Sequence, residues 1–341
     1  MFKSKYIFRA KKRYFLLALS CLVGLTANCQ IPSPDIVTVV KITGIGWFNR
    51  MELGVNQFMT LPIAKGRKTI QTGPSSADSA QQEIIVQAAI DQGAKAIAVV
   101  PLDPSVLEAT FKAAIAKGVK VVTHEAESQR YTHVNVEPFQ NTEYGARINE
   151  RLARCMRNEG KWTVFVGTLS SKSHNQWADG GIDNARNLHP KMQLVDPKTE
   201  SNNDVQRAYI KAKEILRKYP DIKGFQGGSS ADVLGIGQAI QEAGLQQKTC
   251  VFGTGLPSEA SKLLLTGAID GLALWDPKDA GLVMNRIASL LIDGKLILDG
   301  ADLEVAGYRK VRVRKGPGIG FNVTGEAFVD IDISNYKNYA F

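Results

Sequence analysis

The 341-residue sequence predicts an α/β protein built from two doubly wound parallel-sheet lobes. Three observations lead there. Short β-branched runs alternate with amphipathic runs long enough for helices. The strand-like runs are almost continuously apolar, as they are when helices cover both faces of a parallel sheet. The alternation runs through residues 36–124 and restarts after residue 132. The length suits two domains at roughly 100–200 residues each.

Residues 36–42 (Ile–Val–Thr–Val–Val–Lys–Ile) read as the first strand. Gly44–Ile–Gly46 leads through Trp47 and Phe48 into a helix from about Asn49, which Pro62 must end. Residues 68–71 form a short second strand. Ser75, Ser76 and Asp78 supply caps for a helix to Gln92, with Ile85, Ala88, Ala89 and Gln92 on one face and Gly93 as the stop. Residues 96–100 are a third strand, followed by a helix to Lys117. Residues 119–123 are a fourth, ending at His124 and Glu125.

A connecting strand at 132–136 opens the second array. Helices are expected at 141–156, from Asn175, at 204–218, after residues 227–232, and at 257–265. Strands are expected at 162–166, 192–195, 224–226 and 250–252. A turn at Gly267 then precedes a buried strand that ends at Trp275 and Asp276, and Pro277 opens a further helix. Ligands of such sheets sit beyond the carboxyl ends of the strands. Asp276 therefore stands where a polar ligand is held, beside an aromatic ring.

The net charge of +9 does not indicate a nucleic-acid partner. Lys3, Lys5, Arg9, Lys11, Lys12 and Arg13 supply six of those charges ahead of a short apolar run ending at Ala27. That pattern is a secretory signal peptide, residues 1–27, and the remainder is close to neutral. The run is shorter than the ~20 apolar residues of a membrane span. A soluble periplasmic protein is expected. A lipid anchor at Cys29 is the lesser alternative, because Asn28 stands where a lipoprotein signal has a small residue. Cys155 and Cys250 are read as unpaired core thiols, with a disulfide as the alternative that export allows.

The order of elements and several stretches resemble the ribose-type periplasmic binding proteins of ABC importers, in the branch that holds autoinducer-2-binding and rhamnose-binding proteins. The stretches are Lys41–Ile–Thr–Gly–Ile–Gly–Trp–Phe48, residues 94–100, Gly118–Val–Lys–Val–Val–Thr–His–Glu125, Asn175–Gln–Trp177, Gly253–Thr–Gly–Leu–Pro–Ser–Glu259 and Leu272–Ala–Leu–Trp–Asp276. The likeness covers nearly all of the chain beyond the signal peptide. It implies a type I fold with a three-segment hinge near residues 126–134, Asp276 and residues 300–310. The N-terminal lobe would combine 28–130 with 276–304, and the C-terminal lobe 131–275 with 305–341. It implies a monomer that catalyses nothing, uses no cofactor or metal and binds no nucleic acid. Its partners would be a small sugar or autoinducer-2-like ligand, an inner-membrane ABC permease and, as a further possibility, a chemoreceptor.

A sugar needs side chains that exchange hydrogen bonds with hydroxyls and rings that cover its CH faces. The candidates are Lys41, Trp47, Phe48, Glu125, Ser173, His174, Asn175, Ser229, Ser230 and Asp276. Trp177 and Trp275 are read as either site or core. Autoinducer-2 binders place a lysine, two aspartates and a glutamine around their ligand. Lys41 matches the lysine and Glu125 stands for the first aspartate, but Ser173 and His174 replace the second Asp–Gln pair. Gly228 and Ser230 replace a proline and an alanine. A pentose or a deoxyhexose such as rhamnose therefore ranks above autoinducer-2. Against an enzyme stands the lack of a Gly-x-Ser-x-Gly elbow, a P-loop or paired metal-ligand spacing. A sugar-responsive repressor would begin with a helix-turn-helix rather than an export signal.

Overall fold

The computed structural model describes residues 33–339 and residue 341. The expected signal peptide and Cys29 lie outside the described residues. The first array is β1 (Ile36–Val39), α1 (Gly46–Phe58), β2 (Thr69–Thr72), α2 (Ser79–Asp91), β3 (Ala96–Val99), α3 (Glu108–Ala116), β4 (Lys120–His124) and β5 (Val134–Glu137). The second is α4 (Asn141–Cys155), β6 (Glu159–Val166), α5 (Lys172–Leu188), β7 (Lys191–Leu194), β8 (Thr199–Glu200), α6 (Val205–Lys218), β9 (Gly224–Gly227), α7 (Ser230–Ala243), β10 (Cys250–Thr254), α8 (Pro257–Leu265) and β11 (Gly271–Leu274). The chain closes with α9 (Pro277–Ile292), β12 (Arg312–Lys315), β13 (Phe321–Thr324) and β14 (Val329–Ile331).

Two sheets result. The first has the order β12-β13-β5-β4-β3-β1-β2, and the second β14-β11-β10-β9-β6-β7 with β8 beside β6. Pairing is parallel except at the β12 and β14 edges. Every residue of β1, β3, β9, β10 and β11 is buried, which is why, Gln226 of β9 apart, these strands read as apolar or small-residue runs. Helix starts follow local chemistry. The Asp78 carboxylate accepts from the amides of Ala80 and Gln81, and Ser229 with Asp232 forms a capping box on α7. Helices α1 and α9 pack through Gly54 and Gly281. A Cβ on either would overlap backbone of the other helix, at Lys278 and Met51 respectively.

The strand pairings correct two of the expected lobe boundaries. Val134 pairs with Val122 and with Phe321, so residues 134–137 belong to the first sheet and the chain crosses after Glu137, not near 131. Strands β12 and β13 also stay in the first sheet, so the last crossing lies between Thr324 and Val329 rather than near 305. The middle crossing lies between Leu274 and Pro277. The expectation of free thiols is corrected as well. Cys155 at the end of α4 and Cys250 at the start of β10 form a disulfide with Cα atoms 6.1 Å apart. Sequence could not supply that separation, which falls in the range a disulfide spans.

Candidate functional site

The site forms where strand ends of both sheets face each other. Lys41 lies two residues past β1, and Trp47 and Phe48 sit in the first turn of α1. Glu125 follows β4 with a φ of 58°, a left-handed conformation that a glutamate adopts rarely. Opposite them, Ser171 stands at the N-cap position of α5 without a side-chain capping bond, and Ser173 and His174 occupy the first turn. Gly228–Ser230 opens α7, while Thr254 and Trp275 stand at the ends of β10 and β11.

Lys41 and Glu125 are each only 3% exposed, and Lys41 Nζ donates to Glu125 Oε2 at 2.6 Å. The same carboxylate oxygen accepts from Ser173 Oγ at 2.7 Å, and Lys41 Nζ also reaches Ser171 Oγ at 3.3 Å. A buried ion pair of the first lobe is thus completed by two hydroxyls of the second. Burial alone would raise the Glu125 carboxyl, but the Lys41 ammonium overcomes it and the pKa is lowered to about 2. His174 is held neutral by burial and by Lys41, its pKa lowered to about 3. Its Nδ1 accepts from the Gly167 amide at 3.1 Å, so the neutral ring carries its proton on Nε2.

Aromatic rings form the walls. Trp275 packs edge-on against Trp47 at 4.7 Å and Trp177 at 5.6 Å between centroids, one ring from each lobe. Trp275 Nε1 and Asn203 Nδ2 are buried donors without a partner among the described residues. The space between these groups measures about 310 Å3, part of it continuous with solvent.

A family model described as the periplasmic binding protein domain matches residues 36–296. The chain belongs to that family. Among curated relatives, the D-allose-binding periplasmic protein of Escherichia coli (strain K12) is 24% identical over 279 residues, covering 79% of this chain and 88% of that protein. Among solved structures, an ABC transporter solute binding protein from Clostridium phytofermentas with bound L-rhamnose superposes with a TM-score of 0.81 at 20% identity, covering 90% of this chain and 98% of the other. LsrB from Clostridium saccharobutylicum in complex with AI-2 gives 0.81 at 21%, covering 90% and 99%. These likenesses establish the fold as that of type I periplasmic binding proteins.

In this periplasmic binding protein the cavity is lined by Lys41, Trp47, Phe48, Glu125, His174, Ser229 and Ser230 from the sequence candidates. Ser173 stands behind Glu125 and reaches it by hydrogen bond. Two candidates do other work. Asp276 does not line the cavity. Its Oδ1 accepts from the Lys278 amide at 2.8 Å, capping α9, and both its oxygens accept from Arg50 at 2.9 and 2.6 Å. Asn175 spends its amide on the carbonyls of Thr168, Leu169 and Ser171, tying the loop before α5.

The lining also includes Ile45, Asn203 and Thr254, which sequence reasoning missed. Thr254 could have been found as the last residue of a strand. Asn203 follows Asn202 with both at positive φ, a conformation asparagine tolerates, but nothing in the sequence aims it at the cleft. Among the described residues, the one group of acids, histidines and cysteines close enough to share a metal is Cys155, Cys250 and Asp270, and its sulfurs are bonded to each other.

Proposed function

We propose that this periplasmic binding protein captures a small uncharged sugar, a pentose or a deoxyhexose such as rhamnose, between its lobes. It then delivers the sugar to the membrane permease of an ABC importer. The observation that carries this reading is the buried Lys41–Glu125 pair, bonded by Ser171 and Ser173 of the other lobe inside an aromatic-walled cleft. The pair cancels its own charge and His174 is neutral, which favours a neutral ligand. Hydroxyls exchange hydrogen bonds with Lys41, Glu125, His174 and Ser230, and Trp47, Phe48 and Trp275 cover CH faces. The names of the allose-binding relative and the rhamnose-bound structure point the same way. The protein acts as an exported monomer and does no chemistry on its ligand.

Autoinducer-2 is the second reading, favoured by the small cavity and by the structural likeness to an AI-2-bound protein. A thermal-shift screen of the mature protein against L-rhamnose, D-ribose, D-allose, D-arabinose, D-xylose and autoinducer-2 separates the two. A ligand at a hundredfold excess over Kd adds about 2.7 kcal/mol of stability. The expected result is a shift with one sugar that disappears in Glu125→Ala. A shift with autoinducer-2 alone favours the second reading, and no shift with any of them overturns both.

A further inference from the structure

The lobes also meet outside the cavity, at the starts of two helices. Helix α1 begins at Gly46 with Ile45 as its N-cap, and no side chain there bonds the free amides. The first four N–H groups of a helix have no intrahelical partner. Glu259, in the first turn of α8 across the cleft, brings its carboxylate up to Gly46 at the start of α1. Its carboxylate lies so close that a Cβ on residue 46 would overlap it. A negative charge of the second lobe thus sits on the positive end of the α1 dipole. Helix α8 likewise begins without a side-chain cap, and its Ser258 amide donates to the Phe341 carbonyl at 2.9 Å. The Phe341 ring lies against the guanidinium of Arg50 on α1, 4.1 Å from Cζ to centroid. Arg50 is fixed by its two bonds to Asp276. None of Arg50, Glu259 and Phe341 lines the binding cavity.

We propose that Glu259, Arg50 and Phe341 are positioning residues that clasp the shut lobes and set the lifetime of the captured ligand without touching it. The contacts join α1 of one lobe to α8 and Phe341 of the other, so they exist only while the lobes are together. A contact of that kind shifts the shut fraction, and apparent affinity scales with that fraction. Its loss appears in the dissociation rate rather than the association rate. The inference also gives Asp276 a task, which is to hold Arg50 in place.

The test uses Glu259→Ala, Glu259→Gln and Phe341→Ala. The probe is whichever sugar of the screen raises the melting temperature of the wild type, and this arm rests on the capture reading. Glu259→Ala is expected to speed sugar dissociation about tenfold while association stays within about threefold. Glu259→Gln, which keeps an acceptor, should fall between, and Phe341→Ala should speed release in the same sense. The melting temperature without sugar should hardly move. Wild-type dissociation rates in Glu259→Ala and Phe341→Ala overturn the clasp, as does weaker binding accompanied by an equal loss of sugar-free stability. If no sugar binds, the capture reading fails, yet hydrogen exchange in the sugar-free protein still judges the clasp. Slower exchange at Gly46 in the wild type than in Glu259→Ala, reporting the fraction of sugar-free molecules whose lobes are together, supports it. Equal rates at Gly46 in both sink it.

Discussion

Glu125 combines a left-handed backbone, near-complete burial and a cation at 2.6 Å. Its carboxylate is therefore stable only with Lys41 present, and the two should fail together. Its folded pKa of about 2 lies below the ordinary value of 4.5, so its contribution is fully present above pH 4.5 and is lost as the pH falls through 2. That contribution is on the order of 3 kcal/mol. His174 acts in the same direction from a higher starting point. Its folded pKa of about 3 lies below 6.5, so unfolding takes up a proton between those values and stability falls as the medium is acidified from pH 6.5. Thermal melts from pH 7 to 3 should show that decline, with a shallower slope in His174→Gln. An unchanged slope would mean that His174 is not held neutral by burial. At this scale, what sequence could show was position. Strand-end charges mark Lys41 and Glu125, and the structure brings them together. Asp276 has the same mark, but Arg50, far away in the chain, occupies both of its oxygens.

The elements show where reading by pattern succeeds and where it stops. Strands such as β3 and β10 are short, wholly buried and bounded by turns, so a run of apolar residues is enough to find them. Strands β12 and β14 have three or four residues at sheet edges and are mostly exposed or half-buried, so no continuous run betrays them. Missing them and β13 is also what misplaced the last lobe boundary. The disulfide belongs to this scale too, because it ties the end of α4 to the start of β10 across a sequence separation of 95 residues. Closing so long a loop restricts the unfolded chain strongly, and a native disulfide typically contributes about 2–4 kcal/mol. The doubly substituted Cys155→Ser/Cys250→Ser protein should melt several degrees below the wild type, and reductant should lower the wild type to the same point. If reductant leaves the melting temperature unchanged, the bond is not formed in solution.

At the scale of the molecule, three crossings link the lobes, and the middle one runs through Trp275 between Leu274 and Pro277. Closure around a ligand by hinge motion must turn the lobes about these segments. Trp275 reports on that motion because its ring touches Trp47 of the first lobe and Trp177 of the second, and is 1% exposed with the lobes together. Parting the lobes would wet the edges of Trp47 and Trp275, whereas Trp162 stays packed inside the second lobe on β6. Sugar binding should therefore shift tryptophan emission to the blue. The shift should saturate at the concentration that saturates the thermal shift, and the radius of gyration in solution scattering should fall with it. Trp162→Phe should leave the change intact and Trp275→Phe should remove most of it. Were the full change to survive in Trp275→Phe, the lobes would not move about the Leu274–Pro277 segment. Were neither emission nor radius to respond to a sugar that raises the melting temperature, capture would proceed in a cleft already shut, and the clasp at Glu259 would have nothing to hold.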